Sequence, residues 1–129
     1  MTNPIPNTQL KPDPVIRVVP QRSDINYNGH IFGGWVLAQM DIAAGITAGR
    51  RAGGPVATVA VDGMTFIKPI LPGDIISVYT SIEKVGRTSL TILVDVIADR
   101  RGKEVVAVTK GIFTFVAIDE NHRPRQIDG

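Results

Sequence analysis

The sequence predicts an α+β domain in which a curved antiparallel sheet of about five strands wraps around one long helix. Three observations favour this fold class. A proline-free segment rich in good helix formers covers residues 35–50. Four β-rich segments follow it. The stretches between those segments are short and contain turn-forming residues, which makes consecutive strands antiparallel.

The length and composition fit one domain. Of the 129 residues, 43% are hydrophobic and 20% are charged, which is enough for an ordinary core. Residues 1–14 contain four prolines and are expected to form a flexible arm, leaving residues 15–129 as a single domain. The formal net charge of +2 predicts no nucleic-acid partner, and the apolar runs are too short to span a membrane.

The absence of cysteine excludes a thiol nucleophile, a thiolate-bound zinc ion and a disulfide. Two histidines supply a metal site poorly, so we expect neither a metal nor another cofactor. The amino terminus shows no basic start followed by an apolar segment, as a secretory signal would. We therefore expect a cytoplasmic protein.

The first elements are a strand and a loop. Residues 15–19 form a short apolar run that Pro20 closes, which predicts a strand at a sheet edge. Residues 24–34 mix Asn, Gly and Asp without either period, as is typical of a structured loop.

The helix at residues 35–50 is apolar on more than one face, so we expect it to be enclosed. Arg50 and Arg51 lie near its carboxyl end, where cations suit the helix dipole. Gly53 and Gly54 then end the helix.

The remaining strands are expected at residues 56–68, 74–85, 88–99 and 104–117. Their alternating apolar residues build one face for a core. In the last strand the apolar phase changes across Gly111, which predicts a β-bulge or bend there. The opposite face still carries Leu93 and Ile97, so we expect two subunits to pair and cover it.

Asp41 is the most informative single residue. Its neighbours three and four positions away along the helix are Leu37, Ala38, Ala44 and Gly45. A carboxylate in such apolar company is typical of a general base or a nucleophile that acts on a bound electrophile. The alternative is a structural carboxylate that caps a loop or pairs with an arginine across an interface.

Asn26, Gly33 and Gly34, which precede the middle of the helix, are candidates for polarising a substrate. The amide of Asn26 could orient a water molecule or donate to an oxyanion, although an asparagine in a turn more often bonds the local backbone. Gly33 and Gly34 allow a ligand to approach the free N–H groups of the first helical turn. A tight entry into the helix would explain the two glycines equally well.

The other polar residues are weaker candidates for a catalytic role. His30 could act as a base, but a loop histidine is more often a satisfied polar residue, and His122 is a weaker candidate still. Asp62, next to a glycine, reads more readily as a bulge residue than as a second catalytic carboxylate. The sequence contains no GxSxG, GxGxxG or phosphate-binding loop motif.

Several motifs agree with one family in order and spacing. They occupy residues 26–45, 58–70, 72–74, 85–89 and 113–119 and read NYNGHIFGGWVLAQMDIAAG, TVAVDGMTFIKPI, PGD, VGRTS and FTFVAID. Together they resemble the hotdog-fold acyl-CoA thioesterases, specifically the YciA-type branch, over about residues 15–127.

This resemblance implies a hotdog fold, assembled as dimers with active sites at the subunit interface and often as trimers of dimers. It implies hydrolysis of an acyl-CoA to a carboxylic acid and CoA. The family's catalytic carboxylate falls on Asp41 and its catalytic asparagine on Asn26, contributed by opposite subunits. Asp41 would serve as general base or as nucleophile, and backbone N–H groups near Gly33 and Gly34 would meet the oxyanion.

For the CoA phosphates, the resemblance favours the turn at residues 85–89, with Lys68, Arg87, Thr88 and Ser89 as the binding residues. His30 stands where we associate an acidic residue with close relatives. The acyl chain would contact Ile31, Trp35 and Met64, and the preferred chain length stays open.

Two other functions remain open at this point. A hotdog acyl-thioester dehydratase or hydratase usually depends on a histidine with an acidic partner, and only His30 could serve. A non-catalytic acyl-CoA binding module would need the pocket and its basic rim but not Asp41.

Overall fold

Five antiparallel strands, one α-helix and a short 3₁₀ helix (Arg22–Asp24) organise the described chain. The computed structural model describes residues 13–128. Its strands are β1 (Ile16–Val18), β2 (Val56–Phe66), β3 (Ile75–Val85), β4 (Ser89–Asp99) and β5 (Val105–Ala117), and its helix is α1 (Gly33–Ala52). The sheet order is β1-β3-β4-β5-β2. The predicted fold class is confirmed, with β1 at the sheet edge, whereas the predicted arm at residues 1–14 lies almost entirely outside the described residues.

Helix α1 is two residues longer at each end than the sequence predicts. Its first residue, Gly33, lies beneath the ring of Phe66, where an added Cβ would come within 3.4 Å of the ring. At the other end, Gly53 takes a left-handed φ of 73° and donates to the carbonyl of Gly49 at 2.9 Å. The guanidinium of Arg125 also donates to the carbonyl of Ala52 at 2.9 Å, so tertiary contacts hold the last turn.

The core lies between α1 and one face of the sheet. The helix contributes mainly small side chains, among them Ala43, Ala44 and Ala48, so it approaches the sheet closely. The sheet contributes larger side chains that are almost fully buried: Ile76, Val78, Leu90, Ile92, Val94, Val96, Val108, Phe113 and Phe115. The predicted apolar face is therefore the core face.

The prediction that the helix is enclosed is wrong for the single chain. Leu37, Ile42 and Ile46 are exposed, and Ile42 retains 52% of its accessible surface. The sheet covers only one side of α1, because all five strands belong to one layer. The apolar residues on the other side of α1 are therefore exposed to solvent in the single chain.

The predicted irregularity at Gly111 is confirmed on the β2 side, where Asp62 pairs with Ile112 while Thr65 pairs with Lys110, so that β2 carries an extra residue opposite Gly111. On the β4 side the irregularity lies elsewhere. Strand β5 carries its extra residue at Val108, because Val96 pairs with Thr109 while Ile97 pairs with Ala107. Gly111 pairs regularly with β4. Its lack of a side chain makes room for Met64, whose sulfur would lie 2.8 Å from an added Cβ, so close packing explains this glycine.

The sheet face that carries Leu93 and Ile97 and the surface along β2 differ in how much apolar surface they expose. On the face predicted to be covered by pairing, Ile97 is already buried within the chain and Leu93 is half-buried. Strand β2, by contrast, is the last strand of the sheet and has one hydrogen-bonded neighbour. Val59 and Phe66 on this strand are 57% and 50% exposed. The larger uncovered apolar surface therefore runs along β2 and the adjoining side of α1.

Candidate active site

Asp41 lies in the middle of α1, half-buried, on the side that approaches β2. Its Oδ1 accepts a hydrogen bond from the hydroxyl of Thr58 at 2.7 Å. Within residues 13–128, Oδ2 has no hydrogen-bond partner and no arginine pairs with the carboxylate. One oxygen is therefore held in place while the other is free to take a proton or attack a carbon.

Thr58 is a site residue that the sequence analysis missed. It is the first residue of the motif at residues 58–70, and it lies near the start of β2, opposite Phe115. Its position in a motif was visible, but its partner was not, because the contact joins residues 17 positions apart in two different elements.

Asn26 organises the loop before the helix. Its Oδ1 accepts hydrogen bonds from the N–H groups of Asn28 at 2.9 Å and His30 at 3.2 Å, and its own N–H donates to the carbonyl of His30 at 2.7 Å. The side-chain oxygen thus bonds the local backbone, as is common for asparagine in turns. The side-chain NH₂ group has no partner within the described residues and can donate to a ligand.

A cleft of about 360 Å³ opens beside Asn26. Three of the candidate site residues line it, namely Asn26, Gly33 and Lys68, together with His30. Its apolar walls are Ile31, Val36, Phe66, Ile67, Pro69 and Ile70. The structure therefore brings a side-chain amide, the start of a helix and an ammonium group to one apolar cleft.

The backbone N–H groups of Gly33 and Gly34 begin α1. Neither has a hydrogen-bond partner in the described part of the chain, as is usual for the first turn of a helix. Gly33 lines the cleft directly. The positive end of the helix dipole is thus available to a developing negative charge there.

The far wall of the cleft is fixed from behind. Arg100 donates to the carbonyl of Pro69 at 2.6 Å and pairs with the buried carboxylate of Asp74 at 3.3 Å. The N–H of Ile31 donates to the carbonyl of Ile70 at 3.0 Å, which ties the Asn26 loop to the same wall. These contacts pre-organise the cleft.

The single chain does not bring Asp41 to the Asn26 cleft. Asp41 is not among the cleft-lining residues, and it follows Gly33 by eight residues of helix, or about 12 Å. The carboxylate and the amide therefore occupy separate regions of one subunit.

The predicted CoA-binding residues are also divided. Lys68 lies beside Val108, near the level of Val96 on β4, whereas Ser89 begins that strand. Seven residues of strand correspond to about 23 Å. The turn that carries Arg87, Thr88 and Ser89 thus lies at the opposite end of the sheet from Lys68.

The remaining polar candidates have ordinary surroundings. Asp62 is exposed on β2, and His122 is exposed in a carboxyl-terminal turn with a φ of 61°. In that turn, the backbone N–H groups of Arg123 and Asn121 lower the pKa of Asp119. The described residues contain no group of three or more His, Cys, Asp or Glu side chains that could hold a metal ion. They also contain no helix long and apolar enough to cross a membrane.

A single long helix packed on one face of a five-stranded antiparallel sheet, with a carboxylate on the helix and a glycine-rich helix start, agrees with the hotdog-type thioesterase that the sequence resembles. The model of the thioesterase superfamily matches residues 28–105. The chain is 38% identical to the acyl-CoA thioester hydrolase YciA of Escherichia coli, over 89% of this chain and 90% of that protein.

Two solved structures are similar to this chain. One is a hexameric thioesterase from Yersinia pestis, with a TM-score of 0.87 and 40% identity over 91% of this chain and 96% of that one. The other is a hexameric broad-specificity acyl-coenzyme A thioesterase, with a TM-score of 0.86 and 44% identity over 91% and 87% of the two chains. The chain belongs to the thioesterase superfamily, in the branch of the YciA acyl-CoA thioester hydrolases.

Proposed function

We propose that this protein hydrolyses acyl-CoA thioesters to a carboxylic acid and CoA, with Asp41 as the reacting carboxylate. The observation that carries the proposal is the Asp41 carboxylate, which Thr58 holds by one oxygen while the other stays free. A binding module would gain nothing from keeping a free carboxylate against apolar surface. The relatives named as thioester hydrolases favour hydrolysis over the lyase alternative.

The chemistry has two balanced routes. As general base, Asp41 takes a proton from water while the water oxygen bonds to the thioester carbon, and the protonated Asp41 later returns the proton to the departing CoA sulfur. As nucleophile, Asp41 bonds to the carbon, the C–S bond breaks and CoA leaves as a thiolate, and water then hydrolyses the mixed anhydride. In single turnover in ¹⁸O-labelled water, label in the Asp41 side chain would indicate the nucleophilic route.

The tetrahedral oxyanion needs donors on the other side of the substrate. The free NH₂ group of Asn26 and the N–H groups of Gly33 and Gly34 can supply them. Since Asp41 of the same chain does not line this cleft, we infer that the carboxylate comes from a second copy.

Pairing of two β2 strands would bring the parts together. A two-fold interface pairs the same edge in both subunits, so the two β2 strands would run antiparallel. The Thr58 end of one β2 would then approach the Phe66 end of the other. Asp41, held by Thr58, would face the cleft of the partner subunit, whose wall includes Phe66.

The same arrangement would reunite the proposed CoA-binding residues. Lys68 follows the Phe66 end of β2, whereas Thr88 accepts a hydrogen bond from Ala117, which pairs with Val56 at the start of β2. Lys68 of one subunit would thus approach Arg87, Thr88 and Ser89 of the other. An ammonium, a guanidinium and two hydroxyls suit phosphate oxygens.

Further properties follow as proposals. The hexameric assembly of similar structures supports a trimer of such dimers. Because a carboxylate, donor groups and water suffice for either route, we propose that no cofactor is needed beyond the CoA portion of the substrate. The cytoplasmic location stays a prediction.

The direct test is release of free CoA thiol from a panel of acyl-CoAs of different chain length. The wild-type protein should release thiol, and Asp41→Asn should stay folded but lose about 10²- to 10⁴-fold in kcat. Glu120→Gln, the same loss of charge at an exposed position, is the control. Equal turnover by Asp41→Asn would remove Asp41 from the mechanism, and an enoyl product without free thiol would indicate a lyase.

A further inference from the structure

The cleft beside Asn26 has no acidic side chain among its described lining residues. Its polar lining residues are Asn26, His30 and Lys68. Together with the N–H of Gly33, these groups are hydrogen-bond donors or can be. A cleft lined in this way favours an anionic ligand.

His30 has a free side chain at this cleft. Its backbone N–H and carbonyl are both used by Asn26, so the backbone of the residue is fixed. The half-buried imidazole, in contrast, forms no hydrogen bond or ion pair within residues 13–128. Its ring nitrogens are therefore available to a ligand in the cleft.

Lys68 is held in a comparable way. Its backbone N–H shares the carbonyl of Val108 with that of Ile67, and the carbonyl of the next residue, Pro69, accepts the 2.6 Å hydrogen bond from Arg100. The carboxylate of Asp74 behind this wall is already paired with Arg100. It is therefore not available to neutralise the Lys68 ammonium.

We propose that His30 and Lys68 together bind an anionic group of the thioester substrate, and that His30 determines specificity for it. The inference rests on the proposed thioesterase function and gives His30 a role that the family resemblance does not imply. An imidazole N–H and an ammonium group donate well to phosphate or carboxylate oxygens. That chemistry has two sources, a phosphate of CoA or a carboxylate at the far end of the acyl group.

The experiment compares three substrates: butyryl-CoA, butyryl-pantetheine, which lacks phosphates, and succinyl-CoA, whose acyl group ends in a carboxylate. KM and kcat are measured for wild type, His30→Asn and His30→Asp at two salt concentrations. The matched control is His122→Asn, because that histidine is exposed, lies outside the cleft and has a left-handed φ that asparagine tolerates.

A phosphate-binding role predicts that His30→Asp raises KM for butyryl-CoA about tenfold, with a smaller rise in His30→Asn, while KM for butyryl-pantetheine and all kcat values change little. A role toward the acyl carboxylate predicts that the rise is confined to succinyl-CoA. In either case, the salt dependence of KM should weaken in the variants.

Unchanged KM values for all three substrates in both folded variants would overturn the proposal. An equal fall of kcat for all substrates would also overturn it, because His30 would then act on the reaction rather than on an anion. If wild type released no thiol from any acyl-CoA of the chain-length panel, the thioesterase proposal itself would fail, which is a distinguishable result.

Discussion

Strands β4 and β2 are both eleven residues long and both rich in apolar residues, yet their surroundings differ. Strand β4 pairs on both sides, and its inward side chains are almost fully buried. Strand β2 pairs on one side only and leaves Val59, Val61 and Phe66 exposed. The fold explains the apolar residues of β4, whereas those of β2 are left exposed in the single chain and fit the proposed pairing with a second copy.

The strongest way to break this comparison is a charge on the free edge. Val59→Glu should prevent pairing of the β2 strands, because an unpaired carboxylate would have to be buried. We expect the variant to fold, to form an assembly of smaller mass than wild type and to be at least about 100-fold less active. Light scattering measures the mass of the assembly, circular dichroism measures folding and thiol release measures activity. A fully assembled, active Val59→Glu protein would contradict the interface.

A matched pair of truncations sharpens the comparison. Val94→Ala on β4 removes two buried carbons and should lower the free energy of unfolding by about 2–3 kcal/mol. Val59→Ala should change the stability of the isolated subunit by less than about 0.5 kcal/mol. Urea denaturation under dissociating conditions compares the two, and equal losses would show that β2 is as much part of the core as β4.

The contact that holds Asp41 gives a prediction about the reaction. Thr58→Val removes the 2.7 Å hydrogen bond but keeps the side-chain shape, so kcat should fall about tenfold with little change in KM. Thr58→Ser keeps a hydroxyl and should recover most of the activity. A wild-type kcat in Thr58→Val would show that this contact does not position the carboxylate.

The smallest effect concerns the carboxyl-terminal segment. Arg51 lowers the pKa of Asp128, first through hydrogen bonds of 3.0 and 2.8 Å and then through its charge. A lowered folded-state pKa stabilises the protein above the ordinary aspartate pKa, and this contribution is lost as the pH falls through the folded-state value. Asp128→Asn should therefore be slightly less stable than wild type at pH 7, with the difference vanishing near pH 2. A difference that stays constant with pH would exclude the ion pair as its cause.

The sequence predicts the helix and strand limits better than the contacts between these elements. The strand limits, the edge position of β1 and the core face all follow from local periodicity and turn residues, which act over short distances. The sequence predicted the irregularity opposite Gly111 but not the extra residue of β5 at Val108, because Gly111 offered a local reason for the change of phase. The actual reason for Gly111 is Met64 on a neighbouring strand, which no local pattern reveals.

The candidate site shows the same division. Asn26, Gly33 and Lys68 line one cleft. The sequence could single them out because each lies in a recognisable local motif. Thr58 was missed, since its significance depends on Asp41 across two elements. The distance between Asp41 and Asn26 within one chain could not be read from the sequence, although the family resemblance implied that opposite subunits supply them.

The shared site can be tested directly by mixing subunits. Asp41→Asn and Asn26→Ala proteins, each inactive alone, are combined at equal amounts, unfolded and refolded together. If each site takes Asp41 from one subunit and Asn26 from the other, half of the dimers are mixed and each has one intact site, so about a quarter of wild-type activity should return. If both residues act within one subunit, every site keeps a defect, and no recovery of thiol release would contradict the account.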